Sequence, residues 1–214
     1  MTHSLHRTGS KESLKGDLVF LSQPAMGINS DGAAEKFRQI TDILFQVGPG
    51  NIGSYEAGNV FTGITAEDIK KRCKDNSRIR CSFDHREKLI EVLRIIKEED
   101  LGICITLSGL IDEIREIARE VGLEPHSINL SCGVHGHTER LPEPEIMEIT
   151  TMCGHAMIGA SMVRKMILDV KQGRRTLDDA VAELAQPCVC GIFNPLRARR
   201  LLQKLIKLWT IDGE

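Results

Sequence analysis

The middle of the chain limits its fold more than any other feature. Between residues 78 and 131, short apolar runs alternate with amphipathic stretches. Residues 78–83 read as a strand. Asp84 and Glu87 then cap a helix with Leu89, Ile90, Leu93 and Ile96 at helical spacing. Residues 101–107 read as a buried strand. Ser108 caps a helix carrying Ile111, Ile114, Ile117 and Val121, which Gly122 closes. Residues 126–131 read as a third strand. This β-α-β-α-β order predicts an α/β fold with a mainly parallel sheet and crossover helices.

The flanks extend that expectation. Residues 17–21 form an apolar strand candidate, and a helix after Ser30 or Asp31 presents Ala34, Phe37, Ile40 and Leu44 on one face. Residues 47–63 are rich in Gly and read as a loop, and Thr65 with Asp68 opens a short helix. After residue 131 comes an irregular stretch to residue 145, then about three helices. The first begins near Cys153 and the second is capped by Thr176 and Asp179. The third has Asn194 as N-cap and Pro195 in its first turn. The expectation is a floppy tail over residues 1–16 and one α/β domain over 17–214. Residues 17–131 form its sheet part, and 132–214 form a Cys/His loop with a helical part.

Composition removes several function classes. With 28 basic and 30 acidic residues the net charge is -2, and aromatic residues are 4%. Neither an electrostatic footprint nor a stacking platform for nucleic acid is visible. The basic cluster Arg197, Arg199, Arg200, Lys204 and Lys207 reads as a solvated helix face. No apolar run approaches the roughly 18 residues of a membrane span, and residues 1–16 lack the apolar core of an export signal. A cytoplasmic protein is expected. Its seven cysteines, an odd number, should be reduced thiols rather than a disulfide framework.

The chemistry concentrates in the C-terminal half. Cys153 and His155 lie in the string Thr-Thr-Met-Cys-Gly-His, at the expected start of a helix. A helix dipole there would lower the thiol pKa. Cys188 and Cys190 flank Val189 between two helices, and an extended backbone would aim both sulfurs to one side. Cys153, Cys188 and Cys190 could hold an iron–sulfur cluster with one iron open to substrate. Adding Cys132 or His155 would give a zinc site. Three-cysteine, non-redox iron–sulfur enzymes are the analogy, at the level of ligand count.

His155, His135 and His137 are the candidate acid/base groups. Tyr55, Glu56, Asn59, Ser108 and Arg140 are candidate substrate contacts. Cys73, Cys81 and Cys104 read as structural. The expected function is a metal-dependent enzyme, a lyase or hydrolase or one doing sulfur chemistry, acting on a small polar molecule. The alternatives are a metal-free enzyme with Cys153 as nucleophile, or a non-catalytic binding module. A small molecule is the expected partner, and a homodimer the candidate assembly.

Overall fold

A computed structural model describes residues 2–208. Its centre is a five-stranded sheet in the order β3-β2-β4-β1-β5. The strands are β1 (Leu18–Gln23), β2 (Asn51–Ser54), β3 (Gly58–Asn59), β4 (Ile79–Phe83) and β5 (Cys104–Ser108). Every pairing is antiparallel: β1 with β4 and β5, and β2 with β3 and β4. The sheet is therefore not mainly parallel, and the expected fold class is corrected.

The reason lies in β1. β4 and β5 point the same way and are joined by α4 (Arg86–Glu99), as the β-α-β reading requires, but β1 lies between them and runs the other way. β1 and β2, joined by α2 (Ala33–Val47), are likewise separated by β4. Two split β-α-β units interlock, which is the connectivity of a ferredoxin-like arrangement. Residues 126–131 form no strand, and every residue from 124 to 141 is exposed.

Strand periodicity divides the core between the two sheet faces. Leu18 and Phe20 of β1 and Ile79, Cys81 and Phe83 of β4 pack with Phe37, Leu44, Leu89 and Leu93 of α2 and α4. Ile117 and Val121 of α5 (Ile111–Val121) complete that layer. Val19 faces the opposite way, into a second core under α6 (Pro144–Thr150), α7 (Ala160–Lys171), α8 (Leu177–Ala185) and α9 (Pro195–Leu208). Arg80 and Ser82 share that second face by alternation along β4. The remaining helices are α1 (Lys11–Leu14) and α3 (Ala66–Arg72), the latter opened by the expected Thr65–Asp68 capping box. Among the described residues no helix is long and apolar enough to cross a membrane.

Two local expectations change. The stretch 47–63 contains the β2–β3 hairpin, and the helix expected from Cys153 begins only at Ala160, with α6 ending before the cysteine. Arg197 does not lie on a solvated face. It is 1% exposed and donates to Asp17, Glu148 and the Thr8 and Ser13 carbonyls. Arg7, in the segment expected as a tail, pairs with buried Asp17 and donates to the Ile192 carbonyl.

Candidate functional site

Three buried thiols meet on the second face of the sheet. Cys153 lies in the turns after α6, and Cys188 and Cys190 lie between α8 and α9. The Cys188 thiol hydrogen-bonds with both Cys153 and Cys190. None of the seven cysteines forms a disulfide. Cys73 and Cys81 are buried apart from this group, and burial pushes the Cys73 thiol up to about 11. The half-buried Cys104 lies on β5.

The sheet holds the 187–194 segment in position. The Asn59 amide donates to the carbonyls of Ala185, Gln186 and Cys188, at 3.3, 2.9 and 3.1 Å. The Ser82 hydroxyl and the Asn51 amide both donate to the Phe193 carbonyl, at 2.9 and 3.2 Å. Asn59, fully buried, thus positions the cysteine turn. Asn194 caps α9 by accepting from the Arg197 amide at 3.0 Å, as expected.

The electrostatics of Cys153 differ from the expectation. No helix begins at this residue. The hydrogen bond from Cys188 has the largest effect on its thiol, and the Met157 and His155 amides assist. Together they outweigh burial and bring the pKa down to about 7. Those amides are aimed inward because the chain folds back on itself, with Ala156 at φ +55 and donating to the Cys153 carbonyl at 3.0 Å. A non-glycine residue in the left-handed region is strained. Cys188 moves the other way: its two thiol partners and its burial keep it protonated.

A polar chain runs from the hairpin to the sulfurs. Burial, assisted by the thiols, pushes the Tyr55 phenol up, and its hydroxyl hydrogen-bonds with His155 Nε2. On the other side of the ring, His155 Nδ1 lies 3.7 Å from the Cys190 sulfur. Beneath the Tyr55 ring, 4.7 Å from its centre, lies the Arg80 guanidinium. Arg80 is 3% exposed, its Nε and Nη1 have no hydrogen-bond partner, and no carboxylate among the described residues pairs with it. Burial lowers its pKa. Sequence reasoning missed Arg80 because a polar residue at an alternate strand position reads as solvent-facing.

The other sequence-predicted residues do not join this group. Cys132, His135, His137 and Arg140 all lie in the exposed 124–141 stretch. His135 contacts the Cys132 carbonyl at 2.8 Å, and His137 pairs with Glu139 at 2.7 Å. Ser108 bonds Ser4 at 2.7 Å at the end of β5. The Glu56 carbonyl accepts from Arg72 at 2.7 Å. Of the expected site, Cys153, Cys188, Cys190, His155 and Tyr55 converge.

Comparison with protein families, with curated proteins and with solved structures finds no match to this chain. The chemistry of the site must therefore speak for itself. Among the described residues, no group of three or more His, Cys, Asp or Glu side chains is arranged to hold a metal ion. The expectation of a single-ion zinc site gains no support from this arrangement. A shallow cavity of about 380 Å³ is lined by Cys153, Gly154, Thr150 and Ile158 among others.

The first prediction concerns that sulfur in metal-free protein. Alkylation of Cys153 by iodoacetamide, followed by peptide mapping, should rise with pH through a midpoint near 7, against about 8.5 for an ordinary thiol. Cys188→Ala removes the strongest stabilising hydrogen bond and should move the midpoint up. An unchanged midpoint in that variant would show that Cys188 does not act on Cys153.

Proposed function

We propose that the protein is an iron–sulfur enzyme acting on a small polar molecule. Cys153, Cys188 and Cys190 would hold the cluster and leave one iron without a protein ligand. The observation that carries this reading is the meeting of three reduced, buried thiols from two separate turns. In a cluster each thiolate binds a different iron. Cluster binding would draw the three sulfurs apart, each onto its own iron, from the hydrogen bonds they share in the metal-free protein. An iron with an open position acts as a Lewis acid toward a hydroxyl or carbonyl oxygen.

The surroundings suit a negatively charged group. The His155 and Met157 amides turn toward the Cys153 sulfur, and Arg80 contributes a buried cation with unmade hydrogen bonds. Leaving such a charge uncompensated is strongly unfavourable, which supports an anionic occupant. His155, held between Tyr55 and Cys190, is the proton carrier of this reading. The cavity beside Cys153 is of the size of small-molecule pockets.

Anaerobic purification with iron, sulfide and visible-absorption analysis tests the proposal. Iron and sulfide should be present with a broad visible band. Cys188→Ser should lose both, while Cys132→Ser, on the exposed segment, should keep them. A folded wild-type protein that stays colourless and iron-free after reconstitution with ferrous iron and sulfide would overturn the cluster. It would favour the second reading, a metal-free thiol enzyme. The lowered pKa of Cys153 beside a cavity supports that alternative.

A further inference from the structure

The sheet has an open edge, and the same chain carries a segment of strand-like alternation that matches it. β5 pairs with β1 only and is the last strand of the sheet. Its outer backbone groups have no strand partner among the described residues. An edge of this kind is a template for a further strand. Its side chains show the same deficit. Ile105 and Leu107 face the α2/α4/α5 core but are only half-buried, although they pack against buried residues. The β1 register confirms their face: Leu107 lies opposite Phe20, and Phe20 belongs to that core.

Residues 126–131 have the complementary pattern. Ile128 and Leu130 alternate with Ser127, Asn129 and Ser131, the period of a half-buried strand. Yet Ile128 is 45% and Leu130 69% exposed, and no backbone hydrogen bond joins this segment to the other described residues. If it lay along β5, Ile128 and Leu130 would stand beside Ile105 and Leu107 on the apolar face. Ser127, Asn129 and Ser131 would stand beside Cys104, Thr106 and Ser108 on the other.

We propose that residues 126–131 of one copy pair with the β5 edge of a second copy, and reciprocally, so that two chains form a symmetric dimer of six-stranded sheets. Each copy supplies both halves of the contact, as a two-fold interface requires. The added strand gives main-chain hydrogen bonds to an edge that lacks them, and apolar cover to residues that one chain leaves half-exposed. The exposed stretch carrying Cys132, His135 and His137 directly follows the exchanged strand, so it is anchored at the dimer interface.

The test is the mass of the intact protein in solution by light scattering, with hydrogen exchange read at residues 104–108 and 126–131. The wild type should be a dimer protected in both segments. The double variant Ile128→Asp, Leu130→Asp changes only exposed side chains, so each copy should fold as before. It should be monomeric with fast exchange in both segments. Three results would each overturn the proposal: a wild type that is monomeric at its highest soluble concentration, a variant that stays dimeric, or protection of 126–131 within a monomer. A dimer that dissociates on removal of residues 209–214, with the exchange pattern of 126–131 unchanged, would also overturn it by assigning the interface to the C-terminus.

Discussion

Alanine at position 191 is expected to destabilise the protein by about 3 kcal/mol or more and to disrupt the thiol site. Gly191 has φ +76, where a β-carbon is disfavoured by roughly 1–2 kcal/mol. A β-carbon there would also fall on the backbone of Ile52 and Gly53, far inside van der Waals contact. Those atoms belong to a buried strand and cannot swing aside, so the overpacking adds about 1–3 kcal/mol. The contact is mutual: a β-carbon on Gly53 would lie 2.6 Å from the Val189 carbonyl oxygen. Backbone meets backbone here, and the cysteine turn is pressed onto the sheet. Gly173→Ala is the control, because Gly173 has φ +68 but nothing near its missing β-carbon. It should show the conformational penalty alone. Denaturant unfolding of both variants checks the difference. Equal losses would mean that the turn does not press on the strand. Counting thiols that react in folded protein should also show Cys188 and Cys190 newly exposed in Gly191→Ala only.

The same contact explains why part of the fold was not legible in the sequence. Gly53 and Gly58 lie in paired strands, but they break the alternation by which strands are recognised, so residues 47–63 read as a loop. Backbone contact with the cysteine turn requires Gly53, and the pattern was given up for it. The helices were easier. α8 and α9 follow from apolar spacing and their capping residues, and α2 and α4 from spacing alone, because Gly32 and His85 stand at their N-caps in place of the expected capping side chains. Strand neighbours are not local. The order β4-α4-β5 is real, but β1, from far upstream, lies between its two strands, and periodicity carries no information about that. Residues 126–131 have a strand's alternation without a strand partner among the described residues. Pattern alone promised pairing there.

The site was legible where unusual residue types sat in irregular chain. Two cysteines flanking one residue beside Asn194-Pro195, and a Cys-Gly-His string, pointed to the groups that converge. The cause assigned to Cys153 was different: the thiol is lowered by Cys188 and by a strained turn, not by a helix dipole. Distance along the chain hid the role of Asn59, expected as a substrate contact, whose bonds to residues 185–188 span more than 100 residues. Arg80 stands out only once β4 is seen buried on both faces, with the guanidinium against the Tyr55 ring. His135 and His137 looked equivalent to His155 in composition, but solvent surrounds them.

The second large effect is expected at Arg197. Arg197→Ala should cost about 3–5 kcal/mol, the range for breaking a buried ion pair. Asp17 has no exposed side-chain surface and is held by Arg7, Arg197 and Asn194. Burial alone would raise its pKa, but the two guanidinium groups outweigh it and leave the carboxyl below its ordinary value. A carboxyl with a depressed folded pKa contributes stability at pH values above its unfolded pKa, about 3.9. That contribution is lost as pH falls through the folded value. Removing Arg197 takes away one of the two compensating charges and leaves the desolvation in place. The folded pKa of Asp17 then rises, and acid unfolding should begin at higher pH than in the wild type. The variant also strips partners from the Thr8 and Ser13 carbonyls, so the N-terminal segment should detach from α9. Arg199→Ala provides the contrast. Its pair with Asp178 is exposed on both sides, so the loss should stay within about 1 kcal/mol with no shift in the acid transition. Denaturant unfolding at neutral pH and a circular-dichroism acid titration of both variants distinguish the two cases. If Arg197→Ala behaved like Arg199→Ala, Arg7 alone would be holding Asp17, and the start of α9 beside the thiols would be anchored by its asparagine cap rather than by the ion network.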